Sequence, residues 1–189
     1  MERKVFYFKK AGTENTSKCL EIAKSIIVDY GYKHLIVATT TGETGLLFAE
    51  ALKDLEVNIV VVTHSSGFKG PNTIEMPDHV RDAIESQGAK VYTGSMLTHS
   101  IETSFSSKFG GLYPTLIVAN TLRRFGEGSK VCCEIVMMAV DSGLIPEGDE
   151  VVAVAGTAKG ADTIMILKSA ASKRFLDLRV LEIVAKPRV

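Results

Sequence analysis

The sequence predicts an α/β protein, a three-layer α/β/α sandwich on a mostly parallel sheet with one antiparallel strand near the C-terminus. Three observations predict it. Short apolar runs such as NIVVVT (58–63) and VVAVA (151–155) are too continuous to alternate, as strands covered on both faces require. Segments with apolar residues at helical spacing separate them. Finally, TIMIL (163–167) is too short and β-branched for a helix, and reads as a strand returning antiparallel to its predecessor.

In chain order, residues 5–8 form a short strand ending at Lys9, Lys10 and Gly12. Residues 14–17 (ENTS) open a helix whose apolar positions Leu20, Ile22, Ala23, Ile26 and Ile27 run to Gly31. A strand at 35–38 (LIVA), a TTTGETG turn and a helix carrying Leu46, Leu47, Ala49, Leu52 and Leu55 make the next unit. The strand at 58–63 leads into a loop rich in turn residues, 64–72. A helix follows at 77–87, with Pro77 near its start and Gly88 past its end, then a strand at 90–93.

Residues 95–112 are polar, but Ile101, Phe105 and Phe109 recur every four residues, which predicts a short amphipathic helix closed by Gly110 and Gly111. Two further helices, 114–125 and 131–142, are separated at Gly126-Glu127-Gly128, and Gly143 and Pro146 end the second. After the strands at 151–155 and 163–167, a last strand spans 178–184. No repeat, linker or low-complexity tract divides the chain, so residues 1–189 read as one domain.

Composition narrows the functional classes. Lys plus Arg (22) equals Asp plus Glu (22), which argues against nucleic acid or a membrane surface as the main partner. The three cysteines have no metal or C-x-x-C spacing, and they read as small buried hydrophobes of a reducing compartment. The N-terminal MERKVFYFKK is neither a signal peptide nor a membrane span, so a cytoplasmic protein is expected. The run 131–140 is apolar nearly all round, hence either central in the core or half of a homo-oligomer face.

In a parallel sheet the segments after the strands gather on one edge, where such folds bind ligands. Here they contain Gly12, Glu14, Asn15 and Thr16; Thr39, Thr40, Thr41, Gly42, Glu43 and Thr44; His64, Ser65, Ser66, Gly67 and Phe68; and Gly156, Thr157, Lys159, Gly160 and Asp162. Glycines and small hydroxyl residues let backbone amides approach a ligand closely. The 39–44 turn has two readings. It precedes a helix whose unpaired N–H groups attract an anion, but Thr40 and Glu43 also have the spacing of a capping box, which needs no ligand.

Arg123 and Arg124, beside Phe125, could clamp an anion or an aromatic ring, or form an exposed helix end. Lys69 and Lys159 are the other basic candidates for a phosphate. His64 directly follows a strand and could donate, accept or transfer a proton, whereas His34, His79 and His99 read as solvated. There is no metal motif, nucleophile elbow or dinucleotide fingerprint, and Glu14, Glu43 and Asp162 have no spacing that makes them a catalytic pair. No residue is assigned a catalytic role.

The run from Ala23 through HLIVATTTGETG to NIVVVTH resembles the C-terminal domain of pyruvate kinases, with its strand, Thr/Ser-Gly-x-Thr turn, helix and strand ending in Val-Thr. GLIPEGDEVVAVAGTAKGADTIMIL resembles the end of that domain. The whole chain is similar to a set of stand-alone archaeal proteins of that fold, which share the Glu14-Asn15-Thr16 and Asn120-Thr121-Leu122-Arg123 stretches. The pyruvate kinase resemblance implies a phosphate-binding turn at Thr39, Thr40, Thr41, Gly42 and Thr44. It does not carry over kinase catalysis, whose residues belong to a (β/α)₈ barrel of typically about 250 residues. For the stand-alone group it implies a ligand like flavin mononucleotide (FMN), with Phe68 against the ring and the turn on the phosphate. The expectation is thus a protein that binds a phosphorylated small molecule, either as a flavin-dependent oxidoreductase or as a regulatory or assembly module without catalysis.

Overall fold

In the computed structural model, which describes residues 2–188, seven strands join in one sheet. They are β1 (Phe6–Phe8), β2 (His34–Ala38), β3 (Asn58–Thr63), β4 (Lys90–Thr93), β5 (Glu150–Ala155), β6 (Thr163–Lys168) and β7 (Arg179–Pro187). Their spatial order is β1-β7-β6-β5-β2-β3-β4. The β5–β6 and β6–β7 pairs are antiparallel and the others parallel, so β6 alone runs against the other six. Residues 156–162 alone join β5 to β6, and a parallel crossover needs about a dozen residues or more. The predicted fold class, antiparallel strand included, is the one observed.

The described residues form six α-helices: α1 (Thr16–Tyr30), α2 (Glu43–Leu52), α3 (Asp78–Ser86), α4 (Ile101–Phe109), α5 (Pro114–Leu122) and α6 (Glu127–Asp141). On one face, Ala23, Ile27, Phe48, Leu52 and Ile84 of α1 to α3 pack on Leu35, Val37, Val61 and Val154. On the other, Cys132, Val136 and Ala139 of α6 pack on Ile36, Val60, Val62 and Ala153. Successive β2 residues thus enter opposite cores, which is why the strand reads as a continuous apolar run.

Helix α6 is the centre of its layer, and residues 132–139 are all buried. Of the two readings of the 131–140 run, the structure bears out the core one. All three cysteines are buried and free. Burial pushes the Cys19 and Cys133 thiols up to about 12 and that of Cys132 well above its usual value, so they act as hydrophobes. No described helix is long and apolar enough to cross a membrane.

Four element boundaries differ from the sequence reading. The segment before α1 is a 3₁₀ turn, Thr13–Asn15, and a second 3₁₀ turn, Arg123–Phe125, ends what reads as one helix over 114–125. The last strand continues to Pro187 because its end pairs with β1, with Ala185 opposite Phe6. And α6 starts at Glu127, not at 131: the break is Gly126, at φ +123°, while Gly128 lies inside the helix. A Cβ on Gly128 would sit 2.2 Å from Thr163 Oγ1, so glycine lets α6 approach the start of β6. Gly128→Ala is therefore expected to cost about 1–3 kcal/mol through overpacking. The check is a lower urea midpoint at unchanged m-value.

Candidate functional site

Because six strands share a direction, the segments after β1, β2, β3 and β5 meet the start of β6 at one edge of the sheet. The N-terminal ends of α1, α2 and α6 arrive at the same edge: Ala161 N–H donates to Thr16 Oγ1 at 3.0 Å, and Gly128 abuts Thr163. A cleft of about 710 Å³ opens there, over a buried apolar floor that includes Val62, Met96, Ile135 and Met138.

The 39–44 turn is built by Thr39. Its N–H continues the ladder to Val62 O at 3.0 Å, and its Oγ1 accepts the Gly42 N–H at 3.1 Å. Gly42 precedes α2 at φ +98°, where a Cβ would meet Val80 Cγ1 at 2.3 Å. The Thr40–Glu43 capping box does not form, because α2 starts at Glu43 and has no side-chain cap. Leu46 is the first α2 residue whose N–H reaches a carbonyl of the turn, Gly42 O at 2.8 Å. The N–H groups of Glu43, Thr44 and Gly45 thus have no helical carbonyl to reach, and the positive end of the helix dipole lies among them.

Asp162 holds the neighbouring loops in place. It is fully buried, and its Oδ2 accepts the N–H groups of Gly12 (3.3 Å) and Thr157 (3.1 Å) while Oδ1 accepts the Thr163 hydroxyl at 2.8 Å. Asn15 likewise stays local, its amide donating to Lys10 O and Gly12 O.

Of the residues read from the sequence, Thr16, Thr39, Thr40, Thr41, Glu43, Thr44, His64, Phe68, Arg123, Gly156, Lys159 and Gly160 line the cleft, and Lys69 joins them. Gly12, Glu14, Asn15, Gly42, Ser65, Ser66, Gly67, Thr157 and Asp162 lie outside the lining. Arg123 is held by Glu127 at 2.9 Å.

Sequence reasoning missed Glu75, His99, Lys130 and Glu134, all of which line the cleft. Glu75 Oε2 lies 2.8 Å from His64 Nδ1, supplying the carboxylate partner that no motif spacing shows. His99 is half-buried rather than solvated, and its ring centroid is 5.6 Å from that of Phe68, which in turn is 4.2 Å from that of His64. Lys130 and Glu134 form an ion pair with side chains only 3% and 4% exposed. Two charges at i,i+4 beside an apolar run are a visible signal, lost here because starting the helix at 131 leaves Lys130 outside it.

Glu134 Oε1 also accepts the Thr98 N–H (2.8 Å) and hydroxyl (2.7 Å). Burial works to raise the Glu134 carboxyl, but the Lys130 charge and the Lys130 and Thr98 hydrogen bonds outweigh it and hold it below its ordinary value. Burial, followed by the Lys130 charge, lowers His99 below its ordinary 6.5. Both folded-state values lie below the unfolded ones. Their stabilisation is therefore full above the unfolded pKa and is lost as pH falls through the folded pKa. The melting temperature is expected to drop between pH 7 and pH 4, and His99→Leu should flatten the part nearest neutrality. An identical profile in the variant would clear His99 of any part in the drop.

Among the described residues no group of His, Cys, Asp and Glu could hold a metal ion. The 39–44 turn thus presents an uncapped helix start to the cleft, and Phe68 an exposed ring.

Two structures of pyruvate kinase from Cryptosporidium parvum, the second in complex with ADP, are 18% and 19% identical over 80% of this chain, with TM-scores of 0.41 and 0.42. This chain spans only 22% and 23% of theirs. A structure of O-ureido-L-serine synthase is 18% identical, covering 57% of this chain and 29% of its own, with a TM-score of 0.29. The model of the pyruvate kinase alpha/beta domain matches residues 17–167, from the first turn of α1 to the end of β6, and on that match the chain belongs to the pyruvate kinase alpha/beta domain family.

Proposed function

We propose that this protein binds a phosphorylated small molecule carrying a planar ring, with FMN as the specific candidate. One observation carries the reading: a single cleft joins the uncapped α2 N-terminus and the cations Lys69, Arg123 and Lys159 to the rings of His64, Phe68 and His99. The phosphate would lie at the Thr39–Thr44 turn, where N–H groups and the helix dipole favour an anion. The ring would lie beside Phe68 over the apolar floor, and Glu43 and Glu75 would accept hydrogen bonds from sugar-type hydroxyls. The cleft volume is within the usual range of small-molecule sites, about 300–1,000 Å³.

Absorption spectra of the purified protein, and mass spectrometry of what heat denaturation releases, test this directly. A flavin band with a phosphorylated mass supports it, since a tight ligand co-purifies. A colourless protein that releases nothing and is not stabilised by FMN or any other phosphorylated ring compound overturns it. Thr40→Val and Thr44→Val are each expected to weaken FMN binding roughly tenfold, the worth of one good hydrogen bond, with little change in melting temperature. Unchanged affinity would remove the turn from the site.

The His64–Glu75 pair favours a catalytic extension, because a carboxylate-oriented imidazole beside the ring is placed to transfer a proton. Bound flavin would supply the redox chemistry. Bleaching of the flavin band by a reduced nicotinamide nucleotide supports turnover, whereas a stable band leaves a binding module.

A further inference from the structure

The inner end of the cleft has a donor and acceptor pattern of its own. Lys130 Nζ carries three N–H donors, and its partner among the described residues is the Glu134 carboxylate alone. A buried ammonium with one acceptor leaves two donors for whatever occupies the cleft. The other end of the same chain of hydrogen bonds is His99, whose Nδ1 is 3.1 Å from Thr98 Oγ1. The single Thr98 hydroxyl proton is committed to Glu134 Oε1 at 2.7 Å. Thr98 Oγ1 must therefore accept from His99, which places the imidazole proton on Nδ1 and leaves Nε2 a bare acceptor. Nε2 has no protein partner among the described residues, and both His99 and Lys130 line the cleft. The cleft lining thus offers both N–H donors and an acceptor nitrogen, linked through Glu134 and Thr98, with the Phe68 ring next to His99.

We infer that this inner end is a recognition subsite for the edge of a cyclic imide or lactam, a ring carbonyl adjacent to a ring N–H. Lys130 donates to the carbonyl oxygen and His99 Nε2 accepts from the ring N–H. The inference rests on the proposed binding of a phosphorylated ring compound and specifies the ring. Isoalloxazine and uracil both present that edge, whereas cytosine presents an unprotonated nitrogen where the N–H should be.

The test measures, on the full chain, the affinities of FMN, uridine monophosphate, their N3-methylated counterparts and cytidine monophosphate. Expected is a preference of roughly tenfold or more for the N–H form over the N3-methyl form, the worth of a hydrogen bond whose acceptor would otherwise be left unmet. That preference should collapse towards one in His99→Leu, a half-buried position that leaves the core intact. Lys130→Met/Glu134→Gln removes both buried charges while leaving an Oε1 acceptor for the Thr98 hydroxyl, and should weaken the N–H and N3-methyl forms by a similar factor, because both keep the carbonyl. Tighter binding of FMN identifies the ring as flavin, and tighter binding of the uridine compound identifies it as uracil. Equal affinity for methylated and unmethylated forms, or for the cytidine and uridine compounds, overturns the imide subsite while phosphate-and-ring binding stands. Failure of all five compounds to bind overturns both readings.

Discussion

Lys130→Met is expected to destabilise the protein by about 3–5 kcal/mol, because it strands the buried Glu134 carboxylate without its counter-charge. Lys130 and Glu134 are 2% and 3% exposed as whole residues, so water cannot replace the lost partner. Replacing both by Met should cost clearly less than the single change, since paired removal avoids the uncompensated charge. The signature is the pH response. Wild type loses stability as acid protonates Glu134, whose folded pKa is held below its ordinary value. In Lys130→Met the Lys130 charge and hydrogen bond are gone and only the Thr98 hydrogen bonds oppose burial, so the folded pKa rises and the loss of stability on acidification shrinks. Urea midpoints at pH 7.5 and pH 5 check this. A single variant that loses under about 1 kcal/mol, the range of exposed pairs, would show that the pair is solvated.

Asp162→Ala carries the second large effect, about 3–5 kcal/mol. Its fully buried carboxylate collects two backbone N–H groups and one hydroxyl, and each buried donor left without an acceptor costs about 1–3 kcal/mol. Thr163→Val removes one of these donors and should cost far less, which separates the hydrogen-bond account from a general sensitivity of the region. Because Asp162 ties the segment after β1 to the loop between β5 and β6, the variant should also bind phosphorylated ligands more weakly at temperatures where it remains folded. A loss no larger than that of Thr163→Val would show that other contacts hold these loops.

The candidate site was legible wherever it depends on chain direction. The 39–44 turn, His64, Phe68 and the 156–160 loop all follow strands, and a parallel sheet brings such segments to one edge. Legibility ended where tertiary packing decides between local alternatives. Thr40 and Glu43 have capping-box spacing, yet Val80 stands where a Cβ at position 42 would go, and the helix starts at Glu43. Gly128 reads as a breaker until Thr163 is placed against it. Asp162 sits in a glycine-rich loop like a ligand contact, and only its burial shows that it serves the backbone.

The sequence by itself determined the order and type of the main elements, the parallel class of the sheet, the reversed strand read at 163–167 and the gathering of the segments after the strands at one edge. These follow from local periodicity and short connections, which depend on neighbouring residues alone. The tertiary structure alone decided the strand order, the seat of β1 beside β7, the pairing of His64 with Glu75, and the chain Lys130–Glu134–Thr98–His99 at the inner end of the cleft. Those features join residues distant in sequence, 36 positions apart for Thr98 and Glu134 and far more for Phe6 opposite Ala185. Their chemistry depends on burial, which exists only once the layers have packed.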